Sequence, residues 1–192
     1  MAYPEAWTER LFIAVARKGQ TGYTNFTSDI DKVTINRGER GFESIALLNG
    51  GRIPKFTPEA DTEVTMTLYP SSVAIGASGS MDQFFNRTYD DEEPLSTSPT
   101  LYRDKYKVVI LWTDYESQSD AITAVPSGSA ALRYSLQNGY ITKCTPTEFG
   151  TDGVLSYDVS FKLPAFNKSA TANITVESSD GGQELPVVAN YS

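Results

Sequence analysis

The side chains able to do chemistry in this sequence are mainly carboxylates, arginines and hydroxyls. Histidine is absent and cysteine occurs once, as Cys144. Without histidine there can be no Ser-His-Asp or Cys-His nucleophile pair, and no general base with an unperturbed pKa near neutrality. Zinc sites built on His or several Cys are excluded too, and one Cys closes no internal disulfide. We therefore predict a protein with no catalytic residues, no cofactor and no metal site, which is not an enzyme.

Two groups of carboxylates could contradict that prediction. The run Asp90–Glu93 places four acids together, as a calcium site needs, but it lacks the glycine and alternate spacing of an EF-hand loop, so a solvated loop is favoured. Asp29 and Asp31 share one face of a predicted strand, and Glu43 lies on a probable neighbour. Glycosidases use paired carboxylates, but pairs this close are common on acidic proteins, and a hydrolase is the weakest hypothesis.

A third group is basic and lies in the Gly-rich segment NRGERGFESIALLNGGR. It holds Arg37, Glu39, Arg40 and Arg52. Guanidinium groups on such a segment suit bidentate pairing with carboxylates of another copy of the chain. An ordinary solvated hairpin explains the same residues equally well.

The elements that carry these residues are predicted to be strands. The chain has 192 residues, among them many Thr, Tyr, Phe and Val, and 24 Gly and Pro together. This composition is typical of an all-β protein, and the length favours one domain over residues 1–192. Alternating apolar residues predict strands over 7–17, 29–35, 41–48, 62–69, 105–113, 130–136, 139–145, 155–163, 171–177 and 184–190.

The remaining segments punctuate these strands. Ser80 could cap a short helix over 81–86, residues 1–10 form a candidate N-terminal arm, and 87–104 form a long polar loop. Gln137-Asn138 is interpreted as a hairpin-like junction. The pattern predicts a β-sandwich or barrel with one short flanking helix.

Charge and hydropathy limit the partners of the chain. The formal net charge of -8 disfavours tight binding of nucleic acid, which needs clustered Lys and Arg. No apolar run approaches the roughly 20 residues of a membrane span. The start MAYPEAWTER lacks the features of a signal peptide, so the sequence predicts a soluble protein made in a cytoplasm.

Five asparagines lie in N-x-S/T sequons: Asn25, Asn86, Asn167, Asn173 and Asn190. Together with 11 tyrosines they leave an alternative open, a secreted or cell-surface β-sandwich that binds glycans or forms a fibre. Chance in a Thr-rich β protein is the better explanation of the sequons.

The order of these segments resembles a known family. The stretch from Asp29 to Pro70, DIDKVTINRGERGFESIALLNGGRIPKFTPEADTEVTMTLYP, and a later block from Ala130 to Phe166 resemble the tail tube proteins of long-tailed phages and related tailed viruses. The resemblance implies a β-sandwich that assembles into hexameric rings, stacked as a hollow tube in the virion tail. Inner strands would join across subunits, and a stretched loop would bridge the rings.

In that reading the partners are further copies of the chain, other tail proteins and viral DNA, which passes through the tube without specific binding. Arg37, Glu39, Arg40 and Arg52 become candidates for contacts between subunits or rings. Asp31 and Glu43 become candidates for the lumen, where negative charge would repel DNA during passage. The protein would be made in the host cytoplasm and act in the virion.

Overall fold

The computed structural model describes residues 10–19, 22–26, 30–69, 104–146 and 155–191. This part of the chain contains ten strands and no helix, which confirms the all-β prediction for it. The strands are β1 (Arg10–Arg17), β2 (Thr24–Phe26), β3 (Ile30–Asn36), β4 (Arg40–Ala46), β5 (Arg52–Glu59), β6 (Thr62–Leu68), β7 (Tyr106–Thr113), β8 (Ala130–Pro146), β9 (Tyr157–Leu163) and β10 (Ile174–Asp180).

Three predicted features lie outside the described residues. These are the helix over 81–86, the polar loop 87–104 apart from Asp104, and the N-terminal arm apart from Arg10. Within the described residues, no helix is long and apolar enough to cross a membrane.

Eight of the strands form two antiparallel sheets that share the long strand β8. The five-stranded sheet has the order β2-β1-β7-β8-β10 and uses the first part of β8, up to Gly139. The four-stranded sheet has the order β8-β9-β6-β3 and uses β8 from Tyr140 to Pro146. Strand β8 thus carries the chain from one sheet into the other.

This course of β8 corrects the hairpin predicted at Gln137-Asn138. Asn138 has a φ of 60°, the left-handed conformation that Asn tolerates in turns, so the turn signal was real. Here it redirects the strand instead of reversing it. At Gly139 a Cβ atom would overlap the Phe161 ring on β9, so only glycine allows the backbone this close.

The C-terminal residues fasten this change of sheet. The Tyr191 hydroxyl donates to Oδ1 of Asn138 (3.1 Å) and accepts from its backbone N–H (3.2 Å). The Asn138 side-chain amide donates to Oδ1 of Asn173 (2.8 Å). Asn173 is fully buried, and its Nδ2 donates in turn to the carbonyl of Pro164 (2.9 Å). Buried polar groups are costly unless paired, so this network specifies one geometry for the bend.

The main core lies between the two sheets, as the alternation predicted. Val64, Met66 and Leu68 of β6 point into it, as do Val159, Phe161 and Leu163 of β9. From the other side the five-stranded sheet contributes residues such as Ile13, Val15, Tyr106, Val108 and Ile110. The architecture is therefore that of a sandwich whose two layers are joined through β8.

A second, smaller core covers the opposite face of the five-stranded sheet. Phe12, Ala14, Val109 and Leu111 pack there against residues from 121–125 and 185–188. Strand β7 is buried on both faces, as its continuous apolar run predicted. The segment predicted as a strand over 184–190 forms only an isolated bridge, between Leu185 and Val125, and serves as a cover.

Candidate functional site

Strands β4 and β5 form a separate two-stranded hairpin that prolongs the β3–β6 pair beyond the sandwich. Its base is tight because Gly38 lies against the carbonyl of Ala60, where a Cβ atom would overlap it, and the Ala60 N–H donates to the carbonyl of Glu39 (3.2 Å). Its tip turns at Gly50, which has a φ of 79°. An isolated two-stranded hairpin is at best marginally stable in water, so this one calls for an external partner.

Large apolar side chains on this hairpin are exposed on both of its faces. Phe42 and Phe56 lie opposite each other, with ring centroids 5.4 Å apart, and are 62% and 59% exposed. Side chains alternate along a strand, so the cross-strand pair Ile45 and Ile53, also exposed, lies on the other face. Exposed apolar clusters of this kind mark contact surfaces.

The sequence analysis identified the first strand of this hairpin but missed the second. Pro54 and Pro58 in β5 argue against a strand in the interior of a sheet. They are tolerated because β5 pairs with β4 on one side only. The turn signal Asn49-Gly50-Gly51 directly before β5 could have indicated a second strand of a hairpin.

The four candidate contact residues all lie on the hairpin, but they do not form one cluster. Arg37, Glu39 and Arg40 lie at its base, whereas Arg52 lies near its tip, opposite Ala46 and six positions along the ladder from Arg40. The Arg37 guanidinium lies 4.0 Å from the Glu59 carboxylate, and Arg52 donates to the hydroxyl of Ser44 (2.9 Å). The residues are exposed, so their contacts leave donors for another chain. Their role between subunits stays a prediction.

The two candidate lumen residues lie on different elements. Glu43 is exposed and lies in β4, opposite Lys55 of β5. Asp31 lies in β3, and the position of its side chain is outside the described part of the structure. The structure therefore does not place them side by side on one surface.

The outward face of the four-stranded sheet is an extended polar surface. It carries hydroxyls (Thr34, Thr65, Thr67, Ser160, Thr145) and charged groups (Lys32, Glu63, Lys143, Asp158, Lys162) that alternate with the core residues. Lys143 pairs with Asp158 at 3.3 Å and Lys162 with Glu63 at 3.5 Å. Three lysines and two acids give these residues a net charge of +1, although the chain as a whole carries -8.

Both edges of this sheet lack a strand partner within the described residues. Strand β3 pairs only with β6, and the second part of β8 pairs only with β9. Unpaired edges offer rows of backbone N–H and C=O groups to another strand. The two edges lie at opposite sides of one sheet, so copies of the chain could join edge to edge in a repeating order.

One of the sequon asparagines is a poor acceptor for a glycan. Asn173 is fully buried and hydrogen-bonded through both side-chain atoms. Its sequon therefore does not support the secreted glycoprotein. Within the described ranges, no three His, Cys, Asp or Glu side chains lie close enough together to hold a metal ion.

Comparison with known proteins finds similar folds among solved structures only. No protein-family model matches the sequence, and no curated protein matches it significantly. A chain in the cryo-EM structure of an extracellular contractile injection system, the PVC sheath-tube complex in the extended state, has a TM-score of 0.51 and 8% identity, over 87% of this chain and 88% of that one.

Two further structures match to the same degree. A chain of the PVC sheath/tube terminator has a TM-score of 0.51 and 11% identity, over 92% of this chain and 98% of the other. A chain of the anti-feeding prophage baseplate has a TM-score of 0.51 and 10% identity, over 92% and 97%. The protein therefore shares the fold of chains from contractile injection systems, and the resemblance to tail tubes is confirmed at the level of the fold.

Proposed function

We propose that this chain is the tube subunit of a tail-like injection machine, assembled as stacked hexameric rings around a bore. The observation that carries the proposal is the four-stranded sheet with two unpaired edges and one polar, hydroxyl-rich face. The shared fold with contractile injection systems supports it.

The ring follows from the two edges. Strand β3 of one copy would pair with the second part of β8 in the next, so that the sheets continue around the ring. Six copies of a four-stranded sheet would give a barrel of 6 × 4 = 24 strands. A closed barrel leaves no edge exposed to aggregation.

Contacts between rings are assigned to the β4–β5 hairpin. It projects from the sandwich, and its exposed residues Phe42, Phe56, Ile45 and Ile53 need a partner surface. The neighbouring ring supplies one at high local concentration. Arg40 and Arg52 on the same hairpin would pair with carboxylates of the adjoining copy.

The bore is assigned to the polar face of the four-stranded sheet. Its lysines and acids are largely paired with one another, and its remaining groups are mostly hydroxyls. Such a surface offers no cluster of unpaired cations to hold a phosphate backbone, so DNA could pass without being retained. Viral DNA delivery is the proposed task, with Asp31 and Glu43 as candidates for additional negative charge along the path.

Microscopy of the concentrated protein tests the proposal directly. Negative-stain images should show rings or tubes with a central hole and six-fold symmetry. A persistent monomer in sedimentation experiments, with no rings at any concentration, would contradict it.

Engineered disulfides test the edge pairing itself. We expect Thr34→Cys in β3 and Thr145→Cys in β8, combined with Cys144→Ala, to give a ladder of covalent oligomers on oxidation that ends at six. Within one chain two strands separate these positions, about 14 Å at the usual strand spacing, which is too far for a disulfide. Lys32→Cys or Asn36→Cys, on the same face of β3, would replace Thr34→Cys to test pairings shifted by two residues along the strand.

The single variant Thr34→Cys in the same background serves as the control, because it can link at most two chains. A ladder that stops at the dimer for every register, with rings still visible by microscopy, would place the ring contact elsewhere.

A further inference from the structure

A half-open cavity of about 180 Å³ lies on the other side of the molecule, remote from the polar face of the four-stranded sheet. Its floor is the outer face of β7, β8 and β10, with Lys107, Arg133, Ser135 and Thr175 among the lining residues. Val187–Ala189 of the C-terminal cover form its wall. Nothing in the proposed tube uses this cavity.

Arg133 is the central residue of the cavity and is only 1% exposed. Its Nε donates to the Glu177 carboxylate (2.8 Å) and its Nη2 to the carbonyl of Pro186. Its Nη1 is buried and has no hydrogen-bond partner. A buried charged donor left without a partner is costly, and among the described residues it is the one such atom on a charged group.

Lys107 brings a second positive charge to the same cavity. It is largely buried, and its ammonium donates one hydrogen bond to the carbonyl of Ala189 (3.3 Å) and lies 5.9 Å from the centre of the Tyr23 ring. Two of its three N–H groups can still donate to a ligand. Burial lowers the pKa of Lys107, and the charge of Arg133 lowers it further. Two cations and the Glu177 carboxylate give the cavity a net charge of +1, so one negative charge would neutralise it.

We propose that this cavity binds a carboxylate, held by the Lys107 ammonium beside the buried guanidinium of Arg133. The hydroxyls of Ser135 and Thr175 line the same space and can donate to its second oxygen. A monoanion fits the net charge, whereas a phosphate dianion would leave an excess negative charge beside Glu177. The carboxylate comes either from a small organic acid in solution or from an Asp or Glu side chain of an adjoining protein chain.

Acetate is the probe that tests the site on the unassembled protein. Titration with sodium acetate against sodium chloride, at constant ionic strength and neutral pH, should shift the backbone amide signals of Ser135, Gln137 and Thr175 saturably. Charge-assisted hydrogen bonds are strong, so Lys107→Met should weaken acetate binding roughly ten- to hundredfold. Lys162→Met, which removes an exposed lysine from the opposite sheet, is the matched control and should bind acetate as the wild type does.

No saturable shift in the wild type, or an equal response in Lys107→Met, would overturn the proposal. If Lys107→Met fails to fold, the double variant Ser135→Ala/Thr175→Ala keeps both charges and should still bind acetate more weakly. The titration needs no assembly, so its failure is distinct from that of the proposed tube.

Acetate binding to the assembled protein distinguishes the two sources of the carboxylate. If an acidic side chain of an adjoining copy fills the cavity, assembled protein should no longer bind acetate, and Lys107→Met should assemble only at higher concentration. If the ligand is a free organic acid, acetate should bind before and after assembly alike.

Discussion

The exposed hairpin residue Phe42 should affect the critical concentration at which the protein assembles. Its side chain is 62% exposed in the single chain, so that fraction remains available for burial against another copy. Complete burial of a Phe side chain contributes about 1.5–3 kcal/mol. The exposed share then corresponds to about 0.9–1.9 kcal/mol for each subunit added to an assembly.

The variant Phe42→Ala removes this contribution. A free energy of about 1.4 kcal/mol corresponds to a factor of ten in an equilibrium constant. The critical concentration for assembly should therefore rise roughly 4- to 20-fold. Pelleting of polymer over a range of protein concentrations measures it, with the soluble fraction at the plateau as the readout.

The same variant should destabilise the single chain by at most about 1.5 kcal/mol, because Phe42 is exposed and the main interaction lost is its ring contact with Phe56. Urea unfolding under non-assembling conditions checks this. Phe166→Ala is the matched control, since Phe166 is 51% exposed but lies outside the hairpin, after β9. It should leave the critical concentration unchanged.

Two results would refute the reasoning. Equal critical concentrations for Phe42→Ala and wild type would mean that Phe42 stays exposed in the assembly. An equal rise in Phe42→Ala and Phe166→Ala would mean that any exposed aromatic residue promotes association, and the hairpin would lose its special role.

Further predictions concern the bend in β8 and the core around it. Gly139→Ala should lower the free energy of unfolding by about 2 kcal/mol or more, because the new Cβ overlaps the neighbouring strand β9. Gly51→Ala at the hairpin tip is the control and should cost well under half of that. Urea unfolding measures both variants. Tyr191→Phe should cost about 1–2 kcal/mol in the same assay, since both hydrogen bonds to Asn138 are lost and a backbone N–H is left unpaired. Burial raises the pKa of Cys144 from 9.0 to about 12, so the folded state keeps a proton that the unfolded state loses, and stability should fall as pH rises from 9 to 12. Thermal melts across that range should show a smaller fall in Cys144→Ala; identical slopes would show that this thiol does not titrate in the unfolding equilibrium.

The contacts of the hairpin and those of the cavity imply different kinds of partner. The hairpin presents apolar pairs on two faces and suits a surface that encloses it, as a neighbouring ring does. The cavity presents two cations against one carboxylate and suits a single acidic group. They lie on different elements, so variants of one should leave the other intact, and their effects on stability should be nearly additive.

The local pattern of the sequence was sufficient to predict many strands of the sandwich. Strands β6, β7 and β9 follow from alternation, because the period of two places Val64, Met66 and Leu68 on one face whatever the rest of the chain does. The all-β class and the absence of His-based chemistry follow from composition alone. The Gly-rich segment with Arg37, Arg40 and Arg52 was identified as a distinct unit, and the structure makes it a separate hairpin.

Other features were decided only by pairing between distant parts of the chain. The signal at Asn138 predicts a turn, but only the presence of β10 on one side and β9 on the other determines that β8 continues into a second sheet. The prolines of β5 are compatible with a strand only because that strand has a single neighbour. Lys107 and Arg133 are 26 positions apart, and they share a cavity because β7 and β8 pair and the C-terminal segment crosses them. Alternation determines which side chains of one strand share a face, whereas what covers that face depends on long-range contacts that the strand itself does not encode.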